Sequence, residues 1–157
     1  MTPHQDGTDY FLSSSHCFIF MSRYYINMDE KITPSTSEFL EKIQETEHFH
    51  KIEFIILFGS RLGPYHLDDS DIDICMYIDE KKEELARIRL DLLKAIDGPF
   101  DIQMFQLLPL YVRTEVLKGK VIHAKNMARV YEIANETVVE WEEFYPFYKD
   151  YLDTVLS

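Results

Sequence analysis

The chain has 157 residues, 46% of them apolar and 14% aromatic, which is enough for one packed domain and excludes wholesale disorder. Sixteen Lys and Arg stand against 28 Asp and Glu, a formal charge of −12 that repels phosphate backbones and argues against stable nucleic-acid binding. Cys17 and Cys75 lie outside any C-x-x-C or mixed Cys/His spacing, and no apolar run reaches about eighteen residues. A zinc knuckle, a disulfide framework and a membrane span are therefore not expected, and a reducing, cytoplasmic setting is the simplest.

Residues 1–28 read as an N-terminal extension. Their apolar run, His16 to Met21, follows a serine triplet, and no Lys or Arg precedes Arg23, unlike a secretory signal. Met28 opens a stretch, Met28-Asp29-Glu30-Lys31-Ile32, that reads as a second start, so residues 1–27 are expected to be dispensable and 29–157 to form the domain.

Apolar Phe39, Leu40 and Ile43 have helical spacing within 35–49, with Ser35 or Ser37 as cap. Ile52 to Phe58 is a nearly unbroken apolar run ending at Gly59 and reads as a buried strand. Ile72 to Ile78 is a second strand, in which Ile72, Ile74, Met76 and Ile78 alternate with Asp73, Cys75 and Tyr77. Lys81 to Ile96 is an amphipathic helix with a stripe of Leu85, Ile88, Leu92, Leu93 and Ile96, stopped by Gly98-Pro99. A strand over 100–107, a short helix over 110–117 and a short strand at Val121-Ile122-His123 follow. Residues 126–157 form a C-terminal helix that Pro146 is expected to bend or break. Strands alternating with helices predict an α/β (α+β) domain with a small mixed sheet.

The chemistry concentrates in residues 58–74. A buried strand ending in Gly59-Ser60 can turn tightly and present backbone amides and a hydroxyl, a seat for phosphate, to which Arg61 adds positive charge. Asp71 and Asp73, two apart on a strand, leave the same face. Two such carboxylates repel unless cations lie between them, and Mg²⁺ bridged to a phosphate is the natural partner. Asp101 brings a third acid on the next apolar strand and would point at the same metals if the two strands are neighbours. A phosphate cradle facing carboxylates describes metal-assisted phosphoryl or nucleotidyl transfer.

Gly59-Ser60, ten residues, then Asp71-Ile72-Asp73 resembles the signature of the DNA polymerase β-like nucleotidyltransferases. Phe100-Asp101-Ile102-Gln103-Met104, followed by Glu115-Val116-Leu117-Lys118-Gly119-Lys120-Val121-Ile122, is similar to the minimal (MNT) branch, which includes the MntA-type antitoxins of HEPN ribonuclease toxins. The resemblance covers about residues 35–150. It implies the nucleotidyltransferase fold, with Gly59 and Ser60, beside the charge of Arg61, at the triphosphate of ATP. It implies Asp71 and Asp73 as ligands of two Mg²⁺ ions, Asp101 as the third metal-binding and catalytic acid, and transfer of AMP to a tyrosine hydroxyl of a HEPN toxin. Gly63 comes one residue earlier than in many relatives and Pro64 follows it, so a different loop shape is expected.

Two other functions compete with this one: an antitoxin that neutralises by binding alone, and a small-molecule nucleotidyltransferase, for which the chain lacks an acceptor domain unless it oligomerises. The Arg61-to-His66 spacing matches the HEPN nuclease motif but lies in a Gly-Pro loop, so it is read as coincidence. Asp68 and Asp69 are read as solvated turn acids. His48, His50 and His123 are read as surface or packing residues. The aromatic series Trp141, Phe144, Tyr145, Phe147, Tyr148 and Tyr151 is read first as core against the sheet and second as a toxin-docking surface. Glu140, Glu142 and Glu143 are expected on an exposed face.

Overall fold

The structure, a computed structural model, describes residues 34–59 and 71–157. The N-terminal extension and residues 60–70, Ser60 and Arg61 among them, lie outside the described residues. In chain order the elements are α1 (Pro34–Gln44), β1 (Ile52–Phe58), β2 (Ile72–Ile78), α2 (Lys82–Ala95), β3 (Phe100–Met104), α3 (Leu110–Val116), β4 (Lys120–Ala124) and α4 (Met127–Leu156). The sheet order is β3-β2-β1-β4. β1 runs antiparallel to β2 and β4, whereas β2 and β3 are parallel and joined across α2. This is the small mixed sheet flanked by helices that the alternation of patterns predicts.

Helices cover both faces of the sheet, which is why β1 and β2 carry apolar residues almost without interruption. On one face, Phe39 and Ile43 of α1 and Leu85, Ile88 and Leu92 of α2 pack on Ile55, Leu57, Ile72, Ile74, Met76 and Ile102. On the other, Val116 of α3 and Val130, Ile133 and Ala134 of α4 pack on Phe54, Ile56, Cys75 and Tyr77. Strict alternation along β1 would put Ile52 and Phe54 on one face. A register shift between them, at Glu53, sends Phe54 to the α4 side, where it stacks on Tyr77 at 5.2 Å.

Several boundaries differ from expectation. The first helix ends at Gln44 rather than near Phe49. Its buried stripe stops at Ile43, and the Thr46 hydroxyl donates to the Ile43 carbonyl at 2.7 Å, closing the last turn before a short 3-10 turn at Phe49–Lys51. The third strand stops at Met104, the last residue paired with β2, and continues as a 3-10 turn at Phe105–Leu107.

α4 starts where Asn126 caps it, its side-chain oxygen accepting from the Ala128 N–H at 2.9 Å. It then runs unbroken through Pro146, so the expected break does not occur. Residues 142–147 are all exposed, so water can take the Glu142 carbonyl that Pro146 leaves without its helical donor. Buried Val130, Ile133, Ala134, Thr137 and Val138 lie in the first half of α4 only. The second half leaves the sheet behind.

Candidate active site

One end of the sheet gathers the predicted acids. Asp73 lies beside Phe58 of β1 on one side and in register with Asp101 of β3 on the other. Adjacent residues in register share a face, and Asp71, two residues before Asp73, leaves that face too. The parallel pairing of β2 with β3 is what makes the three acids neighbours: Asp73 and Asp101 both stand at the second residue of their strands. Asp101 was expected there on the condition that its strand adjoined the second, and it does.

The face is the one occupied further along by Cys75 and Tyr77, under α3 and α4. At the acid end no apolar helix covers it fully: Asp71 is exposed and Asp73 and Asp101 are half-buried. Partial burial first, then the negative charges of Asp101 and Asp71, push the Asp73 carboxyl above its ordinary range. That excess of negative charge is what a bound cation would relieve. The donors are all carboxylate oxygens and they are solvent-accessible, which suits a hard, hydrated ion such as Mg²⁺ and not a thiolate- or imidazole-seeking one. Their donor chemistry therefore fits the implied metal, although their oxygens are not gathered within 4.8 Å of one another.

Gly59 completes the described part of the site. Its φ of +87° is left-handed, and a Cβ built on it would lie 2.0 Å from Asp73 Oδ2. Glycine is needed here twice over, for the turn that ends β1 and for the approach of backbone to carboxylate. The sequence reading anticipates the turn. The contact with Asp73 is new.

Two further residues belong to the site. Gln103, two residues after Asp101 on the same strand face, donates from its side-chain amide to both carboxylate oxygens of Asp101, each at 3.1 Å. Arg89 of α2 reaches around the open edge of β3. Its Nε donates to the Ile102 carbonyl at 2.6 Å and its guanidinium stands 3.9 Å from Asp101. Gln103 could have been found from strand alternation. Nothing in the sequence ties Arg89 to Asp101.

Among the described residues, the group of three metal-type ligands whose donor atoms lie within 4.8 Å of one another is a different one, Glu47, His48 and Asp91. His48 Nε2 is 3.2 Å from Asp91 and 3.7 Å from Glu47, a polar bridge tying the turn after α1 to α2 on the opposite face of the sheet. His48 thus has a packing role, as expected. His123 does too, its ring 4.9 Å from Phe49. The aromatic series of α4 does not pack on the sheet, contrary to the first reading. Phe147 is 71% and Tyr151 63% exposed, because the buried stripe ends at Val138 and the remaining turns project past the core. No helix among the described residues is long and apolar enough to cross a membrane.

Comparison with known proteins agrees with this fold. Residues 41–128 match the family described as polymerase beta, nucleotidyltransferase. A Methanocaldococcus jannaschii protein named "Putative protein adenylyltransferase MJ1547" is 31% identical over 104 residues, 66% of this chain and 72% of its own length. A chain from the tri-AMPylated Shewanella oneidensis HEPN toxin in complex with MNT antitoxin superposes with a TM-score of 0.58 at 18% identity, covering 77% of this chain and 98% of that one. A chain from a toxin–antitoxin complex with AMP-PNP gives 0.59 at 19%, with the same coverage. At such identities the two structures speak for the fold. The matched span runs from α1 through β4 into the start of α4 and takes in Gly59 and all three acids, so this chain belongs to the polymerase β nucleotidyltransferase family and is an enzyme of that class.

Proposed function

We propose that this protein is an antitoxin that transfers AMP from ATP to a tyrosine hydroxyl of a HEPN ribonuclease toxin. The observation that carries the reading is the convergence of Asp71, Asp73 and Asp101 beside the Gly59 turn. The names of the relatives support the donor and the acceptor class: one is an adenylyltransferase acting on protein, and others are a toxin carrying AMP and a complex with an ATP analogue.

In this reading Gly59 and Ser60 present backbone amides and a hydroxyl to the triphosphate, and Arg61 adds a positive charge there. Asp71, Asp73 and Asp101 would hold the Mg²⁺, which would offset charge on the phosphates and lower the pKa of the acceptor hydroxyl. The tyrosine oxygen attacks the α-phosphorus of ATP. A new O–P bond forms, the bond from the α-phosphorus to the β-phosphate oxygen breaks, and pyrophosphate leaves. The proton of the hydroxyl passes to an oxygen of Asp101. Gln103 and Arg89 hold that carboxylate in place from one side, leaving the other to the reaction. The buried Cys75 thiol, its pKa pushed up by burial, takes no part, and such an unpaired thiol suits the cytoplasm.

The test is to incubate the chain with toxin, ATP and Mg²⁺ and to look for an AMP mass increment on a toxin tyrosine. The increment should vanish with chelator and with the double change Asp71→Ala and Asp73→Ala. If the doubly changed protein still neutralises the toxin, neutralisation is by binding and the proposal fails.

A further inference from the structure

Among the described residues, most of the exposed large apolar side chains lie in the second half of α4. Phe144, Phe147, Tyr148, Tyr151 and Val155 recur at helical spacing along one stripe. With Pro109, Leu110 and Tyr111 at the start of α3, part of this stripe lines an open groove of about 650 Å³. The stripe is not a collapsed remnant of the core. Tyr111 stacks on Tyr148 at 6.1 Å, and Trp141 packs on Phe144, Tyr145 and Tyr148 at 5.4–6.2 Å, so the rings brace one another and hold a fixed shape. Rigid aromatic rings with unburied faces are what binding hot spots consist of, and an apolar patch of this extent is unusual on a lone chain.

The surroundings of the stripe indicate what covers it. The last nineteen residues, 139–157, carry Glu142, Glu143, Asp150 and Asp153 against a single Lys149, besides Glu140, which Arg113 of α3 meets at 3.8 Å. A second copy of this chain would bring the same acids face to face, on a molecule that already carries −12. A helix with apolar residues at i, i+3, i+4 and i+7 and Lys or Arg on its flanks would fill the groove and meet the acids. We infer that the outer half of α4, with the start of α3, docks a basic amphipathic helix of the toxin. This rests on the proposed function and adds to it where the toxin is gripped, through residues separate from the acids that carry out transfer.

The experiment titrates the full chain with purified toxin by calorimetry, without ATP, at two salt concentrations. The double change Phe147→Glu and Tyr151→Glu should weaken binding on the order of 100-fold. It should leave the melting temperature unchanged, because both side chains are exposed. Glu143→Lys with Asp150→Lys should weaken binding about tenfold and flatten its salt dependence. Undiminished binding by the Phe147/Tyr151 variant overturns the inference. So does sedimentation showing that the wild-type chain self-associates through this face and that the variant does not. If the wild type transfers AMP while the variant binds normally, the docking surface alone is wrong. If binding depends on the aromatic stripe but no AMP is transferred, the surface stands and the proposed reaction is wrong. A wild type that binds no toxin refutes both.

Discussion

The two faces of the sheet are made by the same strands and serve opposite ends. On β2, Ile72, Ile74, Met76 and Ile78 all go to the α1/α2 face, and all are buried. The alternate positions, Asp71, Asp73, Cys75 and Tyr77, go to the α3/α4 face, where only the latter two join the core. One face commits every position to packing. The other gives up its first two positions to carboxylates that burial and mutual repulsion make uncomfortable. The pairing is economical, since the buried side fixes the register that places the acids on the open side. It follows that substitutions on the two faces should separate stability from activity.

The largest effect expected is on turnover. Changing Asp71 and Asp73 together to alanine should cut AMP transfer by at least ~10³-fold, the scale seen when groups that stabilise transferring charge are removed. The melting temperature should not fall, because no packed apolar group is lost. A variant that melts well below wild type would mean that the acids are structural, and the contrast between faces would collapse. The reverse experiment is Ile74→Ala, next to Asp73 in the chain but on the packed face and fully buried. It should cost about 2–5 kcal/mol of stability. Below the new melting point the folded fraction should keep its specific activity, measured as turnover per folded molecule. A selective loss of turnover would show that the core face does more than fix register.

Gly59→Ala sharpens the comparison at the point where backbone meets acid. The left-handed φ makes any side chain cost about 1–2 kcal/mol. The added methyl also has nowhere to go except into the Asp73 carboxylate, 2.0 Å from where its carbon would lie. Activity should therefore fall further than stability does, on the order of 10²-fold, since displacing a catalytic group by about 1 Å has that effect. Equal losses in both, from thermal melts beside transfer assays, would say that Gly59 is only a turn.

Much of this was legible in the sequence because it depends on local pattern. The bounds of β1 and β2 follow from short apolar runs ended by Gly59 and by Asp79-Glu80, and both were read to the residue. The face that Asp73 takes was legible for the same reason, since strand alternation fixes it. What was not legible depends on distance in the chain. Arg89 meets Asp101 only because α2 folds back beside β3, and His48 meets Asp91 only because the turn after α1 abuts α2. The exposed aromatic half of α4 was misread for a related cause. Helical spacing of large apolar residues is the same whether the stripe meets a sheet or overhangs it, and the length of the sheet decides which. Pro146 was expected to bend or break the helix, and the helix runs through it without a break.

The smallest effect is the one that tests why the acids are uncomfortable. Asp73 has its pKa raised above 3.8 by burial, Asp101 and Asp71. In the folded state it therefore binds its proton more tightly than in the unfolded chain. Its contribution to stability is complete below about pH 3.8 and is lost as pH rises through the raised value, leaving a constant penalty at neutral pH. Asp73→Asn removes that penalty. In chelator at pH 7 the asparagine variant should melt about a degree or two higher than wild type, a small gain because the carboxylate is partly solvated and screened. The gain should shrink to nothing as pH falls toward 3.8. Millimolar Mg²⁺ should reverse the order, raising the wild type and leaving the variant nearly unmoved, since a ligand stabilises only the state that binds it. An asparagine variant that melts lower than wild type in chelator at pH 7 would mean that Asp73 is already compensated within the fold. The reason to place a cation among the three acids would then be gone.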